Sequence, residues 1–413
     1  MWFLSLRQLL SRPQQTILTF IGIMLGTATY VIFSGMMLGF QEYLIEKMIN
    51  DNPHITISPR DEVLSPETFD NVFFNNSEVK WLTPPSGKRD NQYLTNVQGW
   101  FEKLDNDIRV VAYAPRLSKQ VIFTNGRLSV PGTLVGIDVD KEKYVTSLHK
   151  SVIEGDFKVL KESDSVIVIG EGLMQRLGGR MTGTVNSVAA NGDTNPLRIR
   201  GIIRMGVRQF DDTIAYASIQ TVQNVSASPG QVSSVGIKLE DVSDASDLAA
   251  TFSAYTNDKV QSWDQANENI LSVFKTQDIM RNAITGIIIV VVGFGIYNIL
   301  NMVVSQKKRE IAILRSIGYD SKDISFLFLI QGSFLGISGG LFGLLVGAVA
   351  NYFISQIDVS RGFGSSNKML VSWNLFIYIF GFFITVASTT VASLIPARMA
   401  SRLAPIEIIR GTS

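Results

Sequence analysis

Residues 13–41 read PQQTILTFIGIMLGTATYVIFSGMMLGFQ, with no charged side chain anywhere in the run. An α-helix crosses a hydrocarbon core with about 20 apolar residues, so this stretch is long enough to span a membrane. Its apolar part is too long for the short core of a cleavable leader, and no small-x-small cleavage site closes it. It is expected to stay in the membrane. Working outward, three more uncharged apolar stretches occur at 282–306, 324–357 and 369–397. Between the first and second lies a long segment of ordinary soluble composition. The expected fold is a membrane protein with four transmembrane helices, arranged one plus three. A large extracytoplasmic α+β domain is inserted between helices 1 and 2.

Composition is the average of these two regimes, 46% apolar and 18% charged. The formal net charge of +1 carries no basic surplus, which argues against a nucleic-acid partner. With no cysteine, disulfides, thiolate metal sites and cysteine nucleophiles are excluded. Charge placement orients the chain. Arg7 and Arg12 precede the first apolar stretch; Lys307, Lys308, Arg309, Arg315 and Lys322 fill the loop between the second and third; Arg398, Arg402 and Arg410 follow the fourth. The opposite flanks are mixed, with Glu42, Glu46, Lys47 and Asp51 on one and Asp358, Arg361 and Lys368 on the other. Lysine and arginine in short loops stay cytoplasmic, so both termini are expected inside and the large domain outside.

The outer segment alternates in the manner of strands with turn punctuation. Strands are expected at 54–58, 108–113, 119–124, 132–137, 165–169, 197–203, 215–217 and 234–239, and helices at 172–177 and 245–255. Residues 69–92 are mostly polar and read as an exposed loop. Residues 213–237 lack charge but are too polar to span, and read as strand, short helix and turn. The domain is mixed α+β, in one lobe or two, and large enough for its own core.

Catalytic signatures are missing. No G-x-x-x-x-G-K-[ST] loop occurs, so the chain does not cradle ATP phosphates, and there is no H-E-x-x-H. The two histidines, His54 and His149, stand apart. Gly336-Ile337-Ser338-Gly339-Gly340 matches G-x-S-x-G, but a serine nucleophile needs a base within reach and no apolar stretch holds a histidine. The glycines read better as packing faces: Gly332, Gly336 and Gly340 form one ridge at i+4 spacing and Gly339, Gly343 and Gly347 another, while Gly22/Gly26 and Gly35/Gly39 repeat the theme. The pairs Asp211–Asp212 and Glu162/Asp164 read as exposed and non-catalytic. No charge lies within the apolar stretches, against an ion-coupled carrier. Any energy must enter from elsewhere.

The loop KKREIAILRSIGY (Lys307–Tyr319) is basic, with Ile311, Leu314 and Ile317 on one helical face and Ile313 nearby. Gly318 sits where a helix end wants a left-handed residue, and Ser321 and Asp323 suit the next helix start. It is either a helix resting on lipid headgroups or a docking helix that inserts Ile311 and Leu314 into a partner's groove. Together with IPARMASRLAPIEIIR (395–410) and the one-plus-three layout, this loop resembles the MacB/FtsX/LolC–LolE class of ABC transporter permeases. SGMMLGFQEYL (34–44) and VQSWDQANENILSVFKTQDIM (260–280), with Trp263 in place, resemble the lipoprotein-releasing LolC/LolE branch. VIVIGEGLMQRLGGRMTGTV (166–185) resembles the outer-domain motif of the whole class.

The resemblance implies a MacB-like two-lobed periplasmic core at 42–280 and membrane helices at 16–41, 281–305, 324–356 and 372–396. It implies a cytoplasmic coupling loop at 306–323, a periplasmic loop at 357–371, and cytoplasmic ends at 1–15 and 397–413. The chain would be a non-enzymatic, multi-pass subunit of a bacterial inner membrane. It would pair with a second permease copy or homologue and be driven by a cytoplasmic ATPase dimer that holds the ATP and magnesium. The coupling residues would be Glu310, Ile311, Leu314, Arg315, Ile317, Gly318 and Tyr319. Met36, Met37 and Phe40 either line a cavity for an amphiphile or pack against the second helix. The expected task is release of lipoproteins toward a periplasmic carrier. Alternatives are MacB-like efflux of drugs, peptides or lipids, and FtsX-like signalling to a cell-wall hydrolase. In the branch, the carrier-recruiting subunit has a long hook; here 189–196 reads as a short turn, so the chain is either the hookless partner of that subunit or serves another substrate.

Overall fold

The computed structural model describes Arg7 and residues 13–64, 81–83, 87–89, 92–357 and 369–403. Most of the loop expected at 69–92, the flanking charges Asp358, Arg361 and Lys368, and the tail beyond 403 lie outside these residues. The described chain forms two compact units. One holds the described residues up to Leu44 together with 272–357 and 369–403; the other runs from Ile45 to Leu271.

Among the described residues, four helices are long and apolar enough to cross a membrane: α1 (Pro13–Asp51), Glu268–Gln306, Ser321–Ser355 and Leu375–Ser401. After α1 come β1 (Ile55–Ser58), a small antiparallel pair β2 (Glu62–Leu64) and β3 (Gly87–Arg89), and α2 (Val97–Asp105). The pair corrects the reading of 69–92 as loop throughout. Next are β4 (Val110–Asn125), β5 (Leu128–Ile137), α3 (Val139–Val145), β6 (Val152–Glu154), β7 (Val166–Gly170) and α4 (Glu171–Arg176). The domain continues with β8 (Thr184–Val188), β9 (Thr194–Ile203), β10 (Ile214–Ser218), α5 (Ile219–Val225), β11 (Ser234–Leu239), α6 (Ala245–Ser253) and β12 (Lys259–Ser262). The bundle then resumes with α7 (Glu268–Gln306), the short α8 (Lys308–Ser316), α9 (Ser321–Ser355) and α10 (Leu375–Ser401).

The second unit is built on one ten-stranded sheet in the order β12-β1-β11-β4-β5-β10-β7-β9-β6, with β8 pairing both β4 and β9. β7, all Val, Ile and Gly, is buried along its whole length, as expected of a strand covered on both faces. Strand β4 replaces the two strands expected at 108–113 and 119–124. Pro115 argues for a break there, yet it pairs opposite Val235 inside the ladder. The sheet serves three cores. One gathers Ile55, Ile57, Trp100, Leu104, Val235, Ile237, Leu248 and Phe252 under α2 and α6. A second gathers Leu117, Phe123, Leu134, Ile167, Ile169, Leu173 and Ile199. A third gathers Val135, Ile137, Phe157, Val166, Val168 and Ile203. A single sheet runs through the whole unit.

The long helices of the other unit pack through glycine. A Cβ on Gly339, Gly343 or Gly347 would lie 2.8, 2.6 and 2.8 Å from side-chain atoms of Ile23, Thr27 and Val31 on α1. Both sets advance in steps of four in the same sense, so α1 and α9 run parallel. On the other face of α9, a Cβ on Gly332 would lie 2.6 Å from Ser393, one on Gly336 would run into Thr389, and one on Gly340 would touch Phe382 and Thr385 of α10. Here the numbers run oppositely, so α9 and α10 are antiparallel. Backbones that close leave hydroxyls able to bond across helices, as in the 3.0 Å contact of Thr27 Oγ1 with Thr385 Oγ1. Gly26 packs on Val292 of α7, Gly35 on Asn351, and Gly39 on the backbone of Val371 and Ser372. Gly22 is a correction: nothing approaches it within 4 Å, because that side of α1, with Leu18 and Leu25, carries no other helix among the described residues.

Candidate functional site

The candidate site is α8 and the turn after it. α7 and α8 join at Lys307, whose N–H still reaches the Val303 carbonyl at 3.0 Å and whose ammonium pairs with Glu310 at 3.1 Å. α8 closes with a Schellman turn. Gly318 takes φ +111°, its N–H donates to Arg315 O at 3.3 Å, and the Tyr319 N–H donates to Leu314 O at 3.2 Å. α9 starts at once, the Asp323 carboxylate accepting from the Asp320 N–H at 3.0 Å. The start is thus closed by Asp320 and Asp323. Ser321 instead directs its hydroxyl to the Ser401 carbonyl, 3.0 Å away on α10.

The faces of α8 are not those expected. Ile311 is only 3% exposed and packs with Ile296, Leu300, Val304, Ile324, Leu327, Phe328, Ala397 and Ala400 at the base of the bundle. Leu314 is half-buried against the same cluster. These two side chains are already occupied within their own chain, so the expectation that they insert into a partner is corrected. The apolar residues left outside are Ile313, Ile317 and Tyr319, 46%, 72% and 37% exposed, among exposed Lys308, Arg309 and Glu310. Sequence periodicity marks an apolar stripe without saying which neighbour covers it. Ile313 and Ile317, spaced i and i+4, are the signal available for the outward face. Arg315 is half-buried, its guanidinium donating to Ser401 O at 2.9 Å and Leu403 O at 3.1 Å.

Met36, Met37 and Phe40 are each half-buried on α1. Ser338 donates its hydroxyl to the Phe334 carbonyl of its own helix at 2.8 Å, the behaviour of a helix-packing serine. The connection between β8 and β9 is tight: the Ala189 N–H meets Asp193 O at 3.1 Å and the Gly192 N–H meets Ala189 O at 2.9 Å.

Polar groups in the second unit are structural, and sequence reasoning missed them. Arg116 forks onto the carboxylate of buried Glu142, which also accepts from Thr146 at 2.7 Å. The adjacent Ser147 N–H, in the connection after α3, donates to Asn50 O at 2.9 Å. Arg204 forks onto Glu171. Asp211 is buried, not exposed as expected. Burial pushes its carboxyl up, opposed by the Met205 and Gly206 N–H groups at 2.7 and 3.0 Å. His54 is buried with Nδ1 accepting from the Leu239 N–H at 3.3 Å, and burial, helped by Lys238, pushes its pKa down to about 4. Among the described residues, no cluster of His, Cys, Asp and Glu could hold a metal ion.

Comparison with known proteins matches this layout. The MacB-like periplasmic core domain profile covers residues 16–255, and the FtsX-like permease C-terminal profile covers 282–405. The lipoprotein-releasing system transmembrane protein LolC of Neisseria meningitidis is 23% identical, the alignment covering 99% of this chain and 98% of that one. An uncharacterized ABC transporter permease, MJ1507 of Methanocaldococcus jannaschii, is 26% identical over 98% of this chain and 96% of its own. The macrolide export ATP-binding/permease protein MacB of Hyphomonas neptunium is 24% identical over 98% of this chain and 59% of its own. The chain is an integral inner-membrane protein and belongs to the family of ABC transporter permeases that join a MacB-like periplasmic core domain to an FtsX-like permease region.

Proposed function

We propose that the chain is the non-catalytic permease subunit of an ABC transporter that releases lipoproteins from the inner membrane, driven by a separate ATPase. The observation that carries it is the apolar surface of Ile313, Ile317 and Tyr319, exposed among charges on a short helix between two long apolar ones. An exposed patch of this kind is a docking surface for a helix-binding groove, and the chain lacks a phosphate-cradling loop of its own. The end-to-end alignment with LolC supports the cargo. The tight 189–193 turn supports the role of the subunit without a hook. All four long helices would cross the membrane with both termini inside. The parallel α1–α9 and antiparallel α9–α10 packing agrees with alternate crossings.

The test has two arms. Single cysteines at exposed Glu162 and Ser316 should label from opposite sides of the membrane, Glu162 from outside. The chain purified from native membranes should bring an ATPase with it, hydrolyse no ATP without it, and on depletion leave lipoproteins behind in the inner membrane. Export of small hydrophobic compounds with normal lipoprotein release would favour a MacB-like efflux role instead, consistent with the core-domain profile.

A further inference from the structure

We infer that Arg315 is not a contact to the ATPase but a clamp that fastens the coupling helix α8 to the cytoplasmic end of α10. The inference rests on the permease reading, and adds the path by which motion at α8 enters the membrane.

The last carbonyls of a helix have no partner within it and carry a partial negative charge. At the end of α10 one of them, on Ser401, accepts from the Arg315 guanidinium at 2.9 Å, and the Leu403 carbonyl, two residues past the helix end, accepts from it at 3.1 Å. Ser321, at the start of α9, donates to the same Ser401 carbonyl at 3.0 Å, and Ser325 one turn later reaches Ala397 O at 3.4 Å. Behind these bonds Ile311, Ala397 and Ala400 are buried together. α8, the first turn of α9 and the last turn of α10 are thereby joined from three sides. The joint leaves Ile313, Ile317 and Tyr319 facing outward. Arginine suits the position because it stays charged and its planar guanidinium is more weakly hydrated than a lysine ammonium; both bonds leave from its Nη1. A pull on the outward face then moves α10 with α8 instead of bending α8 alone.

Arg315 is a positioning residue, so its test separates binding from transmission. The chain has no cysteine, so spin labels can be placed at exposed Ser316 and Met399 alone. In the native complex the distance between them should stay constant through the ATP cycle. In Arg315→Ala it should broaden, the ATPase should remain bound within about twofold, and lipoprotein release per ATP should fall about tenfold, the usual worth of a charge-assisted hydrogen bond. Arg315→Lys should recover part of that loss. Loss of the ATPase from Arg315→Ala would overturn the inference, since Arg315 would then be a docking residue. So would unchanged label distances with unchanged coupling. Should the native chain hold no ATPase, the permease reading fails on its own. The label distance in the isolated chain still decides: loosening on Arg315→Ala supports the clamp, and no loosening overturns it.

Discussion

The two units solve the same packing problem with different side chains. In the sheet unit the interior is Phe123, Leu134, Ile167, Ile169 and Ile199, large side chains whose burial from water drives association. In the bundle the contact line is Gly339, Gly343 and Gly347 against Ile23, Thr27 and Val31, and Gly332, Gly336 and Gly340 against Ser393, Thr389 and Thr385. Lipid tails are as apolar as leucine, so helices gain nothing by hiding leucine from them. What holds them is close backbone approach and the hydroxyl bonds it permits. Ion pairs differ in reach: Arg116–Glu142 and Arg204–Glu171 join separate elements of the sheet unit, while Arg281–Asp278 and Lys307–Glu310 in the bundle unit pair residues one helical turn apart.

The largest expected effect is in the sheet unit. Glu142→Ala leaves Arg116 half-buried with no carboxylate and strips Thr146 of its acceptor, at a cost of about 3–5 kcal/mol. Protease resistance of the sheet unit at rising denaturant should fall accordingly, and an unchanged midpoint would mean the pair contributes nothing.

His54 gives the next effect, as a pH dependence. Its folded pKa of about 4 lies below the unfolded value near 6.5. Its contribution to stability is complete above pH 6.5 and is lost as pH falls from 6.5 toward 4, where the unfolded chain binds a proton that the folded one refuses. The full loss is at most about 3 kcal/mol, with no further loss from this group below pH 4. His54→Asn should flatten the slope in that window. A slope that survives the substitution would assign it to other groups.

In the bundle, Gly343→Ala should cost about 1–3 kcal/mol, because its Cβ would press on Thr27 and on the Met24 carbonyl, at 2.6 and 2.7 Å. Gly22→Ala, on the same kind of helix with open space around it, should gain up to about 1 kcal/mol from helix propensity. Melting of the detergent-solubilised chain measures both. Equal responses would break the claim that close approach holds the bundle together.

That pair also shows what is legible in the sequence. Six glycines at i+4 spacing in apolar surroundings have few other uses, so both ridges of α9 follow from their spacing alone. Gly22 and Gly26 have the same spacing, yet only Gly26 has a neighbour, because spacing fixes a face and not what stands opposite. The same limit hides the outward face of α8, where Ile311 and Ile313 differ only in the side on which the bundle lies. Pro115 conceals the length of β4, since a proline inside a central ladder is rarely tolerated. α2 escapes the sequence reading although Val97, Trp100, Phe101 and Leu104 fall at i, i+3, i+4 and i+7, a signal that the polar segment before them obscures. The Arg315 clamp joins residues far apart in the chain and leaves no local pattern.

The division of α8 into an inward and an outward face is tested most directly by one matched pair, Ile311→Asp and Ile317→Asp, scored for membrane level and for ATPase retained on purification. Ile317→Asp should insert and accumulate normally but lose the ATPase by about 30-fold or more, since a charge mispaired at an interface costs about 2–5 kcal/mol. Ile311→Asp should fail to accumulate, because its charge is buried among Leu300, Leu327 and Phe328. The opposite outcome would contradict the account: Ile317→Asp holding its ATPase, and Ile311→Asp accumulating normally without one.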